Sequence, residues 1–329
     1  DYDWITAGGG AALELYAENP VTFVAPSATG NNAVALGDGA SATATSAFAF
    51  GRSAQSTANY SFSVGFGAIA SGTSSISLGS GTDATASQST AIGLNSSGGG
   101  SQAVTGAGAM ALGGSRASGV SSFAAAIDNN TATYGATGAN SVAIGYQAKA
   151  TATGAMAFGD RNTASGEDAV VFGESNTGSG PWSFTAGRSN VNSGSRGVAL
   201  GNAHTVSSFY TTALGSSNTA SQNYCTAIGS NSLADKQGKL AHASLGFGTD
   251  GDAQYGRMVL AKATTDATPV ALTSIAGNPA SDINQIILPN NSAYAFSGTI
   301  VARQQAPGTA CAAWKVEGLI RREGSAGTT

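Results

Sequence analysis

Val142-Ala143-Ile144-Gly145 is one copy of a four-residue pattern (apolar, small, apolar, Gly) that returns along the chain at a constant interval. The glycines that end the copies lie 14 positions apart in two runs: Gly37, Gly51, Gly65, Gly79 and Gly93, then Gly145, Gly159, Gly173, Gly187, Gly201, Gly215 and Gly229. A fixed period of this length predicts a solenoid, in which each coil stacks on the one before it.

Composition favours β-structure for these coils. Gly accounts for 47 of the 329 residues, 41% of residues are hydrophobic and only 10% are charged. That is too apolar for a disordered chain, and the usual helix formers are scarce. Fourteen residues accommodate two short strands and two turns, and glycine suits the turns. We therefore predict an all-β fold, a stacked parallel β-roll followed by a small antiparallel β-domain.

The period is interrupted twice, and these interruptions define the predicted organisation. After the first run the next tetrad, Met110-Ala111-Leu112-Gly113, comes later than the 14-residue period predicts. A degenerate copy, Phe123-Ala124-Ala125-Ala126, precedes the second run. Insertions in solenoids bulge as loops, so we expect loops near residues 94–109 and 127–139. The predicted parts are N-terminal connector strands at 1–29, the roll at 30–246 and a C-terminal β-domain at 247–329.

Alternation within the tetrad suggests two faces, because residues two apart in a strand share a face. We expect the first and third positions to form the core, with Val34, Leu36, Phe48, Phe50, Val142, Ile144, Phe158, Phe172, Leu200, Leu214 and Ile228 as members. The residue between them would then face outward. That outward column is small and uncharged, which predicts close approach of another copy of the chain at Ala35, Ala49, Ala143, Ala157, Ala199, Ala213 and Ala227.

A second column carries side-chain amides at the coil spacing. Its members are Asn162, Asn176, Asn190, His204 and Asn218. Stacked amides hydrogen-bond along repetitive β-structures, so we predict a ladder in the middle of the second strand. His204 is expected to replace asparagine as a structural member of that ladder.

Asn140-Ser141-Val142-Ala143-Ile144-Gly145 and its near copy Asn32-Ala33-Val34-Ala35-Leu36-Gly37 resemble the head repeats of YadA-type trimeric autotransporter adhesins. The resemblance covers roughly residues 30–246. It implies a left-handed parallel β-roll, three chains about one axis, and a rigid extracellular shaft with an adhesive surface.

The C-terminal part departs from that family, since heptad stalk and membrane-anchor patterns are absent from it. Residues 294–303 and 314–322 resemble instead a C-terminal β-domain of phage tail-fibre and related virion proteins. In those relatives the domain continues beyond Gly327-Thr328-Thr329, so we expect it to be incomplete here.

Surface candidates for recognition follow from one column of the coils. Trp182, Arg196, Tyr210 and Tyr224 occupy successive coils two residues before each tetrad, and Tyr134 lies in the second insertion. If exposed, they suit a receptor or glycan; alternatively, the column closes the edge of the core.

Catalysis has one candidate, the acidic pair Asp160 and Glu174 on neighbouring coils. Two carboxylates at such a spacing resemble the pair of a retaining glycosidase. Arg188 is next in the column, so an exposed charge ladder is the simpler interpretation. We predict that the chain is not an enzyme.

Charge and composition argue against several other classes of partner. The net charge of −4 gives no basic surface for nucleic acid, and no apolar run is long enough to insert in a membrane as a helix. No metal-ligand spacing or phosphate loop occurs, so no metal or cofactor is expected. Cys225 and Cys311 are expected to be buried reduced thiols.

These observations favour a homotrimeric phage tail fibre that contacts other virion or tail proteins and a host-cell receptor or glycan. It would be located in the virion, outside the cell. The head of a trimeric autotransporter adhesin on a bacterial surface is the alternative, and a glycan-degrading tail spike is a third hypothesis.

Overall fold

The computed structural model describes residues 24–93, 102–125, 133–266, 268–275, 277–305 and 308–324. The chain divides into two compact units, residues 1–258 and 259–329. The described residues form strands and turns and contain no helix, so none could cross a membrane as a helix.

The first unit is a parallel β-solenoid in which almost every described coil contributes one strand from its tetrad and one further, usually shorter strand. Consecutive tetrad strands pair in parallel with a register of one coil, for example Val142 with Met156 and Met156 with Val170. The predicted stacked β-roll is therefore confirmed.

The tetrad strands make one large sheet. In order across the sheet they are β2 (Val34–Leu36), β4 (Phe48–Phe50), β6 (Phe62–Val64), β8 (Ile76–Leu78), β10 (Thr90–Ile92), β12 (Met110–Leu112), β13 (Phe123–Ala125), β15 (Val142–Ile144), β17 (Met156–Asp160), β19 (Val170–Glu174), β21 (Phe184–Arg188), β23 (Val198–Asn202), β25 (Thr212–Ser216), β27 (Thr226–Ser230), β29 (Leu240–Ala243) and β30 (Tyr255–Arg257).

The shorter strands form two further sheets. One contains β1 (Ser27–Ala28), β3 (Ser41–Ala42), β5 (Gln55–Ser56), β7 (Ile69–Ala70), β9 (Thr82–Ala84) and β11 (Gln102–Val104). The other contains β14 (Gly135–Ala136), β16 (Lys149–Ala150), β18 (Thr163–Ala164), β20 (Thr177–Gly178), β22 (Val191–Asn192), β24 (Thr205–Val206), β26 (Thr219–Ala220) and β28 (Leu233–Ala234).

The two interruptions are absorbed without breaking the large sheet. Phe123 pairs in register with Met110 on one side and Val142 on the other, so the degenerate tetrad is a true coil. In this region the shorter strand shrinks to Ala117, which bridges Val104 and Ala136. Residues 94–101 and 127–132 of the predicted loops lie outside the described residues, whereas 102–109 and 133–139 belong to regular coils.

The ends of the roll differ slightly from the predicted boundaries. Residues 27–28 of the predicted connector form β1, which pairs with β3 inside the roll. At the other end β30 pairs antiparallel with β29. Residues 255–257 therefore pair with the roll, although they were assigned to the C-terminal domain.

The assignment of the two tetrad faces was wrong. Ala49, Ala143, Ala157, Ala199, Ala213 and Ala227 are fully buried inside their own coil, and Ala35 packs partly buried at the terminal coil. These alanines are therefore core residues and not contacts with another chain. None of the predicted core residues is buried: Val34 and Phe172 are exposed, and Leu36, Phe48, Phe50, Val142, Ile144, Phe158, Leu200, Leu214 and Ile228 are half-buried.

The reversal has a steric cause. The interior of each coil lies between its own two strands and the turns that join them, and the buried positions there hold almost exclusively Ala, Ser, Thr, Gly and Asn. A space that narrow excludes Leu and Phe, because interiors pack at close to crystal density. The large apolar side chains of the tetrad therefore point out of the coil.

Volumes inside the roll are matched coil by coil. The middle residue of each tetrad faces a buried residue of the shorter strand, and about half of the coils pair Ala with Ala. Val171 is instead matched with Gly178, where an added Cβ would lie 2.6 Å from Val171 Cγ2. Val206, opposite Ala199, is accommodated by Gly197, where an added Cβ would lie 2.9 Å from Val206 Cγ1. Such compensation is expected when a small core is filled without voids.

The tetrad glycines are required by close stacking as well as by their backbone conformation. Gly159 has φ +109°, and a Cβ built on it would overlap the carbonyl oxygen of Gly173 in the next coil. Any side chain at this position would push the coils apart.

In the second unit the main element is a hairpin of β31 (Ser292–Arg303) and β32 (Cys311–Arg322), paired antiparallel over twelve residues. Tyr294, Phe296 and Ile300 lie on one face opposite Ile320, Gly318 and Trp314. The other face carries charged residues, among them Lys315 and Glu317. The predicted small antiparallel C-terminal pair is thus present.

Candidate functional site

The most distinctive surface lies on one turn of the roll, at the position two residues before each tetrad. The backbone there is left-handed, with φ between 54° and 60° at Trp182, Arg196, Tyr210 and Tyr224. Other coils have the same left-handed backbone at this position, mostly with small or polar residues such as Asn140 (φ 56°), Ser74 (φ 59°) and Asp168 (φ 52°). Bulky residues are uncommon in this region of φ, and here they occupy four successive coils.

The four side chains stack along the roll. The guanidinium carbon of Arg196 lies 4.5 Å from the ring centroid of Trp182 and 5.3 Å from that of Tyr210. The rings of Tyr210 and Tyr224 are parallel within 6°, with centroids 5.4 Å apart. We call this column, Trp182, Arg196, Tyr210 and Tyr224, the aromatic strip.

The aromatic strip is exposed and carries unpaired donors. Trp182 and Tyr210 are each 48% exposed and Tyr224 is 60% exposed. Within the part of the chain that the structure describes, no hydrogen bond or ion pair engages the indole N–H, the Arg196 guanidinium or the two phenol groups. The alternative interpretation of the sequence, that this column closes the edge of the core, is therefore wrong.

Phe209 extends this surface, and sequence reasoning missed it. It lies immediately before Tyr210 and is 53% exposed. Tyr134, in contrast, is partly buried and packs against the alanine core. It is not part of the aromatic strip.

The outward apolar residues of the tetrads form a second surface, the apolar face, on the large sheet. Their side chains align coil upon coil, and the Phe158 and Phe172 rings stack with centroids 4.8 Å apart. Phe184 follows edge-on at 6.1 Å from Phe172. Exposed apolar residues line this face in many coils, including Val34, Ile76, Ile92, Met110, Met156, Phe172 and Phe184. A contiguous apolar surface of this kind marks an interaction site.

Buried amides connect the coils on the opposite turn. Asn162 Oδ1 accepts the backbone N–H of Asn176 at 2.9 Å, and Asn176 Oδ1 accepts that of Asn190 at the same distance. The Asn176 Nδ2 group donates to the carbonyls of Phe172 and Gly187. These asparagines precede the shorter strands and do not lie in their middle as predicted.

His204 takes part in the same ladder through its ring. Its backbone N–H donates to Asn190 Oδ1, its Nδ1 accepts the N–H of Asn218 at 3.1 Å, and its Nε2 lies 3.1 Å from the Leu200 carbonyl. These partners require the neutral ring with the proton on Nε2. Burial lowers the pKa of His204, which also favours the neutral form.

The acidic pair lies in a charge cluster. Asp160 and Glu174 are register partners, and Arg161 contacts both at 3.1 and 3.2 Å. Arg188 lies 3.6 Å from Glu174. The sequence column identified three of these residues but missed Arg161, because it occupies the next position of the turn. An exposed ion-pair ladder accounts for the arrangement.

The remaining candidates for chemistry are groups of metal-ligating residues and the two cysteines. No group of three or more His, Cys, Asp or Glu suited to a metal ion occurs among the described residues. Both cysteines are free: Cys225 is buried, and burial raises the pKa of its thiol, whereas Cys311 is exposed, contrary to expectation.

The fold and its surfaces define a parallel β-solenoid of 14-residue coils with an apolar face and an exposed aromatic strip. Comparison with protein families finds the YadA head domain repeat (2 copies) at residues 28–54, 42–68, 70–96, 136–162, 150–174 and 207–232. No curated protein matches the chain. The repeats point to a trimeric, adhesin-like function at an extracellular or cell-surface location, and they suggest a structural adhesin more than an enzyme.

Proposed function

We propose that the chain forms the shaft of a homotrimeric attachment fibre, in which three rolls pack their apolar faces against one another. The observation that carries the proposal is the apolar face itself. Phe172 and Phe184 remain about 40% exposed in the single chain, and similar residues repeat in most coils. Covering them with two further copies removes this surface from water.

The interior of the roll supports the same conclusion. Its buried side chains are mostly alanine and serine, and small side chains bury little apolar area each. Each coil also depends on its neighbours for stability. Packing the large apolar residues between chains supplies the hydrophobic burial that the coil interior lacks.

The mechanical role follows from the hydrogen bonding. Backbone groups of each coil pair with the next, as in Met156 N–H to the Ala169 carbonyl at 2.8 Å and Val170 N–H to the Ser183 carbonyl at 2.9 Å. At about 4.8 Å per coil, the fifteen parallel tetrad strands span about 70 Å. Such a shaft holds a receptor-contacting part at a fixed distance from the particle or cell.

Native mass spectrometry of the chain tests the proposal. We expect a species of three times the 32.0 kDa chain mass, and electron microscopy is expected to show a straight rod. A monomer at micromolar concentration contradicts the proposal, because the apolar face would then be bare.

Within this function, we favour a virion tail fibre that contacts other tail proteins and a host receptor. This preference rests on the sequence resemblance of residues 294–303 and 314–322 to virion fibre domains; these residues lie in the hairpin β31–β32. The head of a bacterial adhesin is the alternative, supported by the YadA head repeats. Neighbouring virion genes favour the first, and a membrane anchor in the same reading frame favours the second.

A further inference from the structure

We propose that the aromatic strip binds a glycan that carries isolated carboxylates between neutral sugars. This inference rests on the proposed attachment function and assigns the binding surface and the ligand class within it. The strip comprises Trp182, Arg196, Tyr210 and Tyr224, with Phe209 beside it.

The size of its side chains separates the strip from the same position in other coils. That position is left-handed along the roll and, apart from Tyr60, is held elsewhere by small or polar residues such as Asn32, Ser74 and Asp168. Four successive coils place Trp, Arg, Tyr and Tyr there instead. Bulky residues suit this region of φ least, and these side chains remain exposed to a ligand.

The chemistry of the exposed groups indicates an acceptor-rich ligand. Ring faces within the stack are occupied by their neighbours, so a ligand meets ring edges and polar groups. The indole N–H, the guanidinium and both phenols are donors, and none is paired with a described residue. Sugar hydroxyls and a carboxylate provide the matching acceptors, and arginine binds carboxylates in a bidentate manner.

Guanidinium placement strengthens the carboxylate assignment. Trp182 and Tyr210 hold Arg196 between them, so little side-chain entropy remains to be lost on binding. The strip is continuous over four coils, about 14 Å from the first to the last. That length fits several consecutive sugars lying along the roll.

Charge around the strip limits the density of anionic groups. Glu167 and Asp168 lie one coil below Trp182 and are exposed, and Arg196 is the one cation of the strip. A polyanion with a carboxylate on every sugar would meet repulsion at these acids. A chain with one carboxylate flanked by neutral sugars avoids it.

The test uses the trimeric chain and three polymers: hyaluronate, with a carboxylate on alternate sugars, polygalacturonate, with one on every sugar, and neutral dextran. Calorimetry is expected to rank hyaluronate first. Trp182→Asn and Arg196→Asn, which place a left-handed-tolerant residue at each site, are expected to weaken hyaluronate binding at least tenfold. Arg196→Asn is also expected to remove the preference over dextran.

Tyr60→Asn is the matched control. Tyr60 has φ 59°, is 62% exposed and occupies the same coil position outside the strip, so this substitution is expected to leave binding unchanged. Absence of hyaluronate binding, equal binding of dextran, or full binding by Trp182→Asn would overturn the inference.

Native mass separates this inference from the proposed function. A wild-type trimer without glycan binding overturns the inference alone, and a wild-type monomer overturns the proposed function. If Trp182→Asn dissociates the trimer, the strip is part of the subunit interface and the glycan assignment is wrong.

Discussion

The backbone N–H of Asn218 donates to Nδ1 of His204 at 3.1 Å, so a histidine ring continues a ladder otherwise built from asparagine side chains. In the neighbouring coils the acceptor is an amide oxygen, which does not titrate. At His204 the acceptor is a ring nitrogen that protonation removes. One step of the ladder is therefore sensitive to acid.

We predict that His204 makes the roll less stable below neutral pH. Burial lowers its pKa in the folded chain below the value of 6.5 expected when unfolded. The unfolded state therefore takes up a proton first as pH falls, and stability decreases from about pH 6.5 downward. The slope is at most about 1.4 kcal/mol per pH unit per chain. Above pH 7.5 the contribution is fully present.

His204→Asn provides the control for this acid sensitivity. An amide at this position restores the ladder and cannot be protonated, so melting midpoints at pH 7.5 and pH 5.5 are expected to differ less than in the wild type. An unchanged difference would show that other groups cause the acid sensitivity.

Much of the roll was predictable because its 14-residue period is present in the amino-acid sequence. The 14-residue spacing gave the register of Val142, Met156 and Val170, and it aligned the asparagines that bond between coils. Alternation identified which residues share a face. It did not identify the inner face, because that depends on the distance between the two strands of one coil, which no local pattern reports.

The aromatic strip illustrates the same limit. Its column was visible at Trp182 and Tyr210, but exposure and stacking depend on the left-handed turn that directs the side chains outward. Arg161 was missed for a related reason: it contacts Asp160 and Glu174 from a neighbouring column. The repeat spacing aligns residues within one column but does not predict side-chain contacts between different columns.

The packed interior predicts coupling between Val171 and Gly178. Gly178→Ala alone places a Cβ 2.6 Å from Val171 Cγ2 and is expected to destabilise the roll by about 1–3 kcal/mol through overpacking. Val171→Ala alone leaves a void. The double variant recreates the Ala157 and Ala164 arrangement. Its loss of unfolding free energy is therefore expected to be smaller than the sum of the losses in the two single variants.

Urea unfolding of the four proteins measures this coupling energy. Independent, additive effects of the two substitutions would contradict the packing that we describe.

Substitutions at two glycines, Gly159 in a tetrad and Gly67 outside the tetrads, are expected to differ sharply in their effect on stability. Gly159→Ala combines φ +109° with overlap of the next carbonyl, and we expect a loss of at least about 3 kcal/mol or failure to fold. Gly67 has φ +62° with nothing within 4 Å of an added Cβ, so Gly67→Asn is expected to cost less than about 1 kcal/mol. Thermal melts compare the two, and similar losses would contradict the close-stacking argument.

Charge on the apolar face is expected to separate the subunits without unfolding them. Phe172 is 40% exposed in the single chain, so Phe172→Asp keeps its carboxylate hydrated in a monomer but buries it in the trimer, where an unpaired charge costs several kcal/mol. Val191→Asp is the matched control, because Val191 is 48% exposed on β22 of the other face. Sedimentation velocity is expected to show a monomer for Phe172→Asp and a trimer for Val191→Asp, with circular dichroism reporting β-structure in both. If instead Val191→Asp dissociates and Phe172→Asp does not, the subunits meet through the shorter strands, and the apolar face becomes the surface available for attachment.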